Sequence, residues 1–326
     1  MFTLHRFLVF LALTFIGSLY ASSERIYNTG RDHYQQGCDI YHNDRLKEGE
    51  RLQRAGQEFT IAVQYFRQAA DQQYLPAMYA LGVCYEFGRG VKQDFNVAAF
   101  YYKNAASKRH TAAQCRYALL LKKGAIDDGQ TTPADLLRAC AERGYYPARV
   151  AYGRLLENGD GVLKNLAAAV QCYREAAEDN NPDGLYEYGR CLEHGIVVPR
   201  DFDTAVTYFQ EAARRGSADA QCRYGQCCES GIGVMRQDVE LAAGYYKQAA
   251  DQDDAVGQYN YGRCLEFGSG VLRDVDAAIE WYRRAAGQGY APAVARLQQL
   301  APQPAPPAND DLIIFEPADD DLIILE

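Results

Sequence analysis

The chain has 326 residues, 48% of them hydrophobic and 24% charged, with ten Cys and a formal charge of −9. That composition belongs to a folded chain of one large or two ordinary domains and excludes disorder as the default. Seven of the acids fall after Leu300, where there is no Lys or Arg, and Arg6 is the one charge in residues 1–21, so the stretch between is near neutral at −3. A near-neutral body with an acidic tail excludes a nucleic-acid binder, which needs a basic stripe.

Residues 1–21 read as a secretory signal peptide: His5 and Arg6 precede the apolar run Phe7 to Ile16, and small residues lead to a cleavage point after Ala21. The run is too short for a comfortable membrane span, although an uncleaved anchor helix is the alternative. Export would expose the cysteines to an oxidising compartment.

Residues 22–56 are expected to be a helical extension or a degenerate first repeat, and residues 57–300 carry an internal repeat. Its first block recurs as YALGVCYEFGRGVKQD (79–94), VAYGRLLENGDGVLKN (150–165), YEYGRCLEHGIVVPRD (186–201), RYGQCCESGIGVMRQD (223–238) and YNYGRCLEFGSGVLRD (259–274). A second block ends each time in Ala-Ala, the pairs starting at Ala69, Ala105, Ala176, Ala212, Ala249 and Ala285, in steps of 36 or 37 with one double gap of 71. Such a period is one helix pair. Gly82, Gly153, Gly189, Gly225 and Gly262 on the first helix, and the Ala-Ala pair on the second, leave room for close approach, while Tyr and Phe fill the wider gaps. The Gly-x-Gly-Val loop ends the first helix. Asp94, Asn165, Asp201, Asp238 and Asp274 are expected to cap the second, with Asn96, Asp203 and Asp276 close behind. No unit can bury its apolar face alone, so the units stack.

These blocks resemble the Sel-one-like repeat, a variant of the tetratricopeptide repeat, in six or seven copies. The resemblance implies an all-α, right-handed α-solenoid of antiparallel helix pairs with a concave inner face, acting as an adaptor that holds other proteins. Two departures stand out. The third copy (119–144) lacks the Gly-x-Gly-Val loop and starts its second helix with Thr132-Pro133, a cap and a first-turn proline, and Gly37 lies 45 residues before Gly82, so the first copy is stretched.

Cys84, Cys191, Cys227 and Cys264 share one repeat position, and Cys115 and Cys222 another. Equivalent positions of stacked pairs lie about 8–10 Å apart, beyond disulfide reach. There is no C-x-x-C pair, so zinc is not expected. The cysteine-rich branch of the family pairs Cys set seven residues apart, a regularity missing here, and buried thiols are the expectation. His33, Cys38 and His42 are spaced to point to different faces of a helix, and His110 and His194 stand alone in loop-like surroundings. No catalytic motif occurs, so no catalytic residue, metal or cofactor is expected. Arg154, Arg190 and Arg263 recur at one position with Glu157, Glu193 and Glu266 three residues on. These are read as i,i+3 pairs or as a basic stripe on the concave face that meets an acidic peptide.

Residues 301–326 are a Pro-rich spacer followed by two acidic–apolar segments, Leu312-Ile313-Ile314-Phe315 and Leu322-Ile323-Ile324-Leu325, each preceded by Asp-Asp and followed by Glu. They resemble SUMO-interacting motifs, short strands that add to the sheet edge of a ubiquitin-like partner, in tandem for avidity. A self-paired hairpin and docking into the chain's own solenoid are the structural alternatives. The expected function is an exported, non-enzymatic scaffold, secreted or periplasmic, as in a bacterial effector delivered to a host cell. The alternatives are a lumenal or envelope quality-control or assembly adaptor, or a β-lactam-binding or hydrolase-like cysteine-rich relative.

Overall fold

The computed structural model describes residues 2–41 and 48–300, and every regular element among them is an α-helix. A long first hairpin, α1 (Phe2–Tyr41) and α2 (Glu48–Asp71), is followed by α3 (Leu75–Phe87) with α4 (Phe95–Ser107), and α5 (Thr111–Lys122) with α6 (Pro133–Glu142). Then come α7 (Tyr146–Asn158) with α8 (Leu166–Glu178), α9 (Pro182–His194) with α10 (Phe202–Arg214), and α11 (Ala218–Ser230) with α12 (Val239–Asp251). The last pair is α13 (Ala255–Phe267) with α14 (Val275–Gly287), against which α15 (Ala291–Leu300) packs. Each helix packs on its neighbours in the chain, which makes the α-solenoid that the repeat implies. No described helix is long and apolar enough to cross a membrane.

The start and stop signals act as their chemistry requires. Asp94, Asn165, Asp201, Asp238 and Asp274 each accept a hydrogen bond from a first-turn N–H of the second helix of their pair. At the other junction Gly88, Gly159, Gly195, Gly231 and Gly268 end the first helices in the left-handed region. Gly82, Gly153, Gly189, Gly225 and Gly262 make room for a ring, whereas Gly184 and Gly257 lie on the backbone of the preceding helix. A Cβ on Gly82 would stand 2.3 Å from the ring of Tyr102, and one on Gly225 2.7 Å from that of Tyr246. Gly37, in the stretched first copy, meets Phe59 in the same way, and Gly30 meets Phe66. Ala105, Ala176, Ala212, Ala249 and Ala285 are fully buried.

The third pair keeps the fold with other means. Asp128 takes over the loop, accepting from the Tyr117 hydroxyl at 2.7 Å, the Thr131 hydroxyl at 2.6 Å and the Thr131 N–H at 2.9 Å. Thr132 does occupy the N-cap position before Pro133, but it caps nothing: its hydroxyl donates to Asp135 instead. His110 is not a loop residue on its own. It is the N-cap of α5, its Nδ1 accepting from the Ala113 N–H at 3.2 Å while its ring stacks on Tyr79.

First helices of successive pairs touch directly (α3 with α5, α7 with α9, α9 with α11, α11 with α13), whereas second helices do not approach to that extent. The first helices therefore line the inside of the curve. The curve of the superhelix brings Asp253, in the turn between α12 and α13, into the lining of one cavity with Tyr41 and Arg89 near the ends of α1 and α3.

Candidate functional site

The inner face carries a ladder of ionic rungs. Glu86, Glu157, Glu193, Glu229 and Glu266 stand at one position near the end of their first helices, and each holds an arginine from the next repeat. Glu157 accepts from Arg190 at 2.5 and 2.7 Å, Glu229 from Arg263 at 3.2 Å, Glu193 from Arg223, and Glu266 from Arg296. Glu86 lies 3.4 Å from Arg116. From the second helix behind, the hydroxyls of Tyr102, Tyr173, Tyr246 and Tyr282 donate to Glu86, Glu157, Glu229 and Glu266 at 2.7–2.8 Å. The ring that lies on the helical glycine thus ends in the rung of its own repeat.

These contacts correct the reading of Arg154, Arg190 and Arg263 as partners of the Glu three residues on. Arg190 and Arg263 reach back to the preceding repeat, 33 and 34 residues away. Arg154 turns forward to Glu187 Oε1 at 2.6 Å, with Asp219 at 3.9 Å, because the position that would hold its Glu, 36 residues after Glu86, is Lys122. Lys122 itself lies 3.9 Å from Asp160. The glutamates are close to fully buried at Glu86, Glu187, Glu193 and Glu266, and a carboxylate there needs its cation. Burial pushes the Glu157 carboxyl up, but the Arg190 and Tyr173 hydrogen bonds outweigh it and hold the group below the usual carboxylate range. At Glu266 the Arg296 hydrogen bonds are the larger effect and the net shift is again downward. Burial, then the bonded carboxylate, pushes the tyrosine hydroxyls up.

Residue types alone hid Arg116, Arg223 and Arg296 from the same reading, since they sit one turn earlier on their helices than Arg190 and Arg263. The signal was a Glu kept four residues after the helical glycine in five of the copies. Eight of the ten cysteines are buried, and all ten are free thiols. Burial pushes Cys84 and Cys115 up to about 12. His33 pairs with Glu58 at 2.7 Å and stacks on Tyr65, whereas Cys38 lies by Arg89, and His42 falls outside the described residues. His194 is exposed at the end of α9, 3.8 Å from Glu193. Leu312, Ile313, Ile314, Phe315, Leu322, Ile323, Ile324 and Leu325 also lie outside the described residues.

Helix pairs of about 36 residues, five of them with a first helix ended by a left-handed Gly and a glutamate tied to the next repeat, are the architecture of one repeat family. Its model, "Sel1 repeat", matches residues 55–74, 75–110, 147–181, 182–217, 218–254 and 255–290. The chain belongs to the Sel1 repeat family. The third pair falls between the matches, as its different loop requires. A Sel1 repeat protein from Oxalobacter formigenes has the same fold, with a TM-score of 0.53 at 23% identity over 88% of this chain and 90% of that one. Among curated proteins, "Chitin synthase regulator SKT5" of Malassezia restricta is 33% identical over 115 residues, 34% of this chain. "DAP3-binding cell death enhancer 1" of Mus musculus is 33% identical over 162 residues, matching 38% of this chain. The aligned parts span 8% and 32% of those two proteins. Sel1 repeat proteins are scaffolds for protein–protein interaction, and this chain shares their framework.

Proposed function

We propose that this Sel1 repeat chain is an exported, non-catalytic scaffold that holds protein partners along its inner face and extends its tail as a second contact. What supports the first contact is the lane of adjacent first helices, on which Arg154, Glu187, Arg190 and Asp219 form a polar strip with Arg154 and Asp219 still about half exposed. Such a strip offers hydrogen-bonding groups to a peptide without demanding a particular shape. The tail contact rests on sequence: two apolar tetrads fenced by acids suit β-addition to a ubiquitin-like sheet, and tandem copies raise effective concentration. Recognition of a SUMO-like partner would place the exported chain inside a host cell. A titration of the intact chain against SUMO and ubiquitin chains tests this. Binding lost when Ile313, Ile314, Ile323 and Ile324 become Ala supports the tail reading, and the absence of binding below millimolar concentration refutes it.

A second reading, a lumenal or envelope assembly adaptor, draws on the Malassezia relative, which by its name regulates a chitin synthase. Locating the full chain by fractionation of the cells that make it separates the two, because an adaptor of that kind remains with the membrane system and an effector leaves it.

A further inference from the structure

Arg89 follows the glycine that ends α3 and turns its guanidinium towards the first hairpin. It donates to the Tyr34 hydroxyl, lies 3.8 Å from Cys38 Sγ, and is ringed by Tyr34, Phe59 and Phe87 at 5.4, 5.7 and 5.5 Å. None of these groups is an anion. The ladder arginines each hold a glutamate, yet among the described residues Arg89 has no ion pair. A half-buried cation with neutral neighbours lacks the charge-assisted hydrogen bond that a carboxylate would supply. Beside it opens a cavity of about 290 Å³ lined by Cys38, Tyr41, Phe59, Phe87 and Asp253, at the small end of the ligand-pocket range of about 300–1,000 Å³. Aromatic walls with one cation at the side fit an apolar side chain next to an acid.

We propose that this cavity docks the chain's own segment Asp310–Glu316, with the Glu316 carboxylate on Arg89 and the Phe315 side chain in the space lined by Tyr41, Phe59 and Phe87. The occupant is argued from reach and charge. Leu300 packs on the cluster that also holds Trp281, and Trp281 and Tyr41 line a second, smaller cavity beside the first. The last described residue therefore shares a cluster with Trp281, whose own cavity adjoins the Arg89 cavity through Tyr41 and Asp253. Nine Pro-rich residues, 301–309, allow a reach of up to roughly 28 Å at about 3.1 Å per residue for an extended chain. The tail carries seven acids and no base. Asp253 lines the same cavity and repels an acid, so Arg89 is the group there that an incoming carboxylate would meet. A tethered segment also meets the cavity at a concentration a free peptide rarely reaches. Any partner of the tail must first draw it out, so the solenoid would restrain its own second contact.

The test uses the full chain with a photoreactive benzophenone side chain in place of Phe315, irradiated at high dilution and mapped by mass spectrometry. The expected product is an intramolecular link to residues 38–59 or 87–90. Arg89→Gln should reduce it at least fivefold. Because Arg89 also packs on three rings, a second variant changes Asp310, Asp311 and Glu316 to Asn, Asn and Gln, which leaves the solenoid untouched and should lose the same link. Links to other surfaces, links only between molecules, or a yield unchanged in both variants overturn the proposal. A labelled peptide of residues 308–326 should bind the neutralised-tail variant at least tenfold more tightly than the intact chain, since only the variant's cavity is vacant. Equal binding to both would show that the cavity serves a foreign peptide and not the tail. Neither readout involves a ubiquitin-like protein, so the outcome is independent of the function proposed above.

Discussion

Phe209 stands where the other rungs place a tyrosine, and Glu193 accordingly accepts from Arg223 without a phenolic hydroxyl behind it. The ring is fully buried, lies on Gly189, and has the Arg223 guanidinium over it at 5.9 Å. Phe209→Tyr should therefore add one hydrogen bond to a buried carboxylate and raise stability by about 0.5–1.5 kcal/mol, a typical net contribution. Urea unfolding of the two chains checks this, and a less stable variant would mean that the hydroxyl cannot reach Glu193.

Replacing Arg154, Arg190 and Arg263 together by Gln should lower the melting temperature, because each guanidinium answers a carboxylate of another repeat. Arg190→Gln alone should cost roughly 1.5–3 kcal/mol, the range for hydrogen bonds to charged groups. The acid limb should shift as well. Glu157 titrates below its ordinary value in the folded chain, so its contribution is present above the unfolded carboxylate pKa and is lost as pH falls through the lower folded one. Removing Arg190 takes away that depression, and acid unfolding should begin at higher pH. An unchanged melting temperature in the triple variant would show the arginines to be free for a partner.

Gly225→Ala places a methyl 2.7 Å from the Tyr246 ring, which is fully buried and holds Glu229 at 2.7 Å. The ring must move and strain its hydrogen bond, at a cost of about 1–3 kcal/mol. The control is Gly244→Ala on α12, where an added Cβ meets nothing within 4 Å and helix propensity favours Ala. Chemical denaturation should move in opposite directions for the two.

His110 supplies a pH-dependent cap. Burial holds its pKa below the usual value, and its Nδ1 can accept from Ala113 only when unprotonated. The folded value being the lower, this contribution is complete above about 6.5, the unfolded His pKa, and is lost as pH falls through the folded one. His110→Asn keeps a capping oxygen that does not titrate. Between pH 7.5 and 5 the wild-type chain should lose more stability than the variant, and parallel melting curves would refute the assignment.

Periodicity made most of the fold legible. Glycine at the end of each first helix and Asp or Asn before each second helix are local signals, and the chain obeys them at five junctions. The rungs were not legible in the same way. Arg190 and Glu193 are neighbours on a helix surface, but Glu157 one repeat earlier binds Arg190, because stacking brings equivalent helix ends together and buries both groups there. The Arg89 cavity was less legible still: Tyr41 and Asp253 are 212 residues apart and meet only through the accumulated turn of the superhelix.

Lys122 in place of a ladder glutamate leaves the third and fourth pairs without a buried rung: Lys122 lies 3.9 Å from the half-exposed Asp160, and Cys115, Leu137, Cys140, Ala148 and Leu155 hold the joint by apolar packing. Links that each tie one unit only to the next behave as springs in series, so a load applied at the ends extends the softest of them first. Apolar packing is non-directional, so the joint between α6 and α7 can slide under such a load where the rungs elsewhere hold their register.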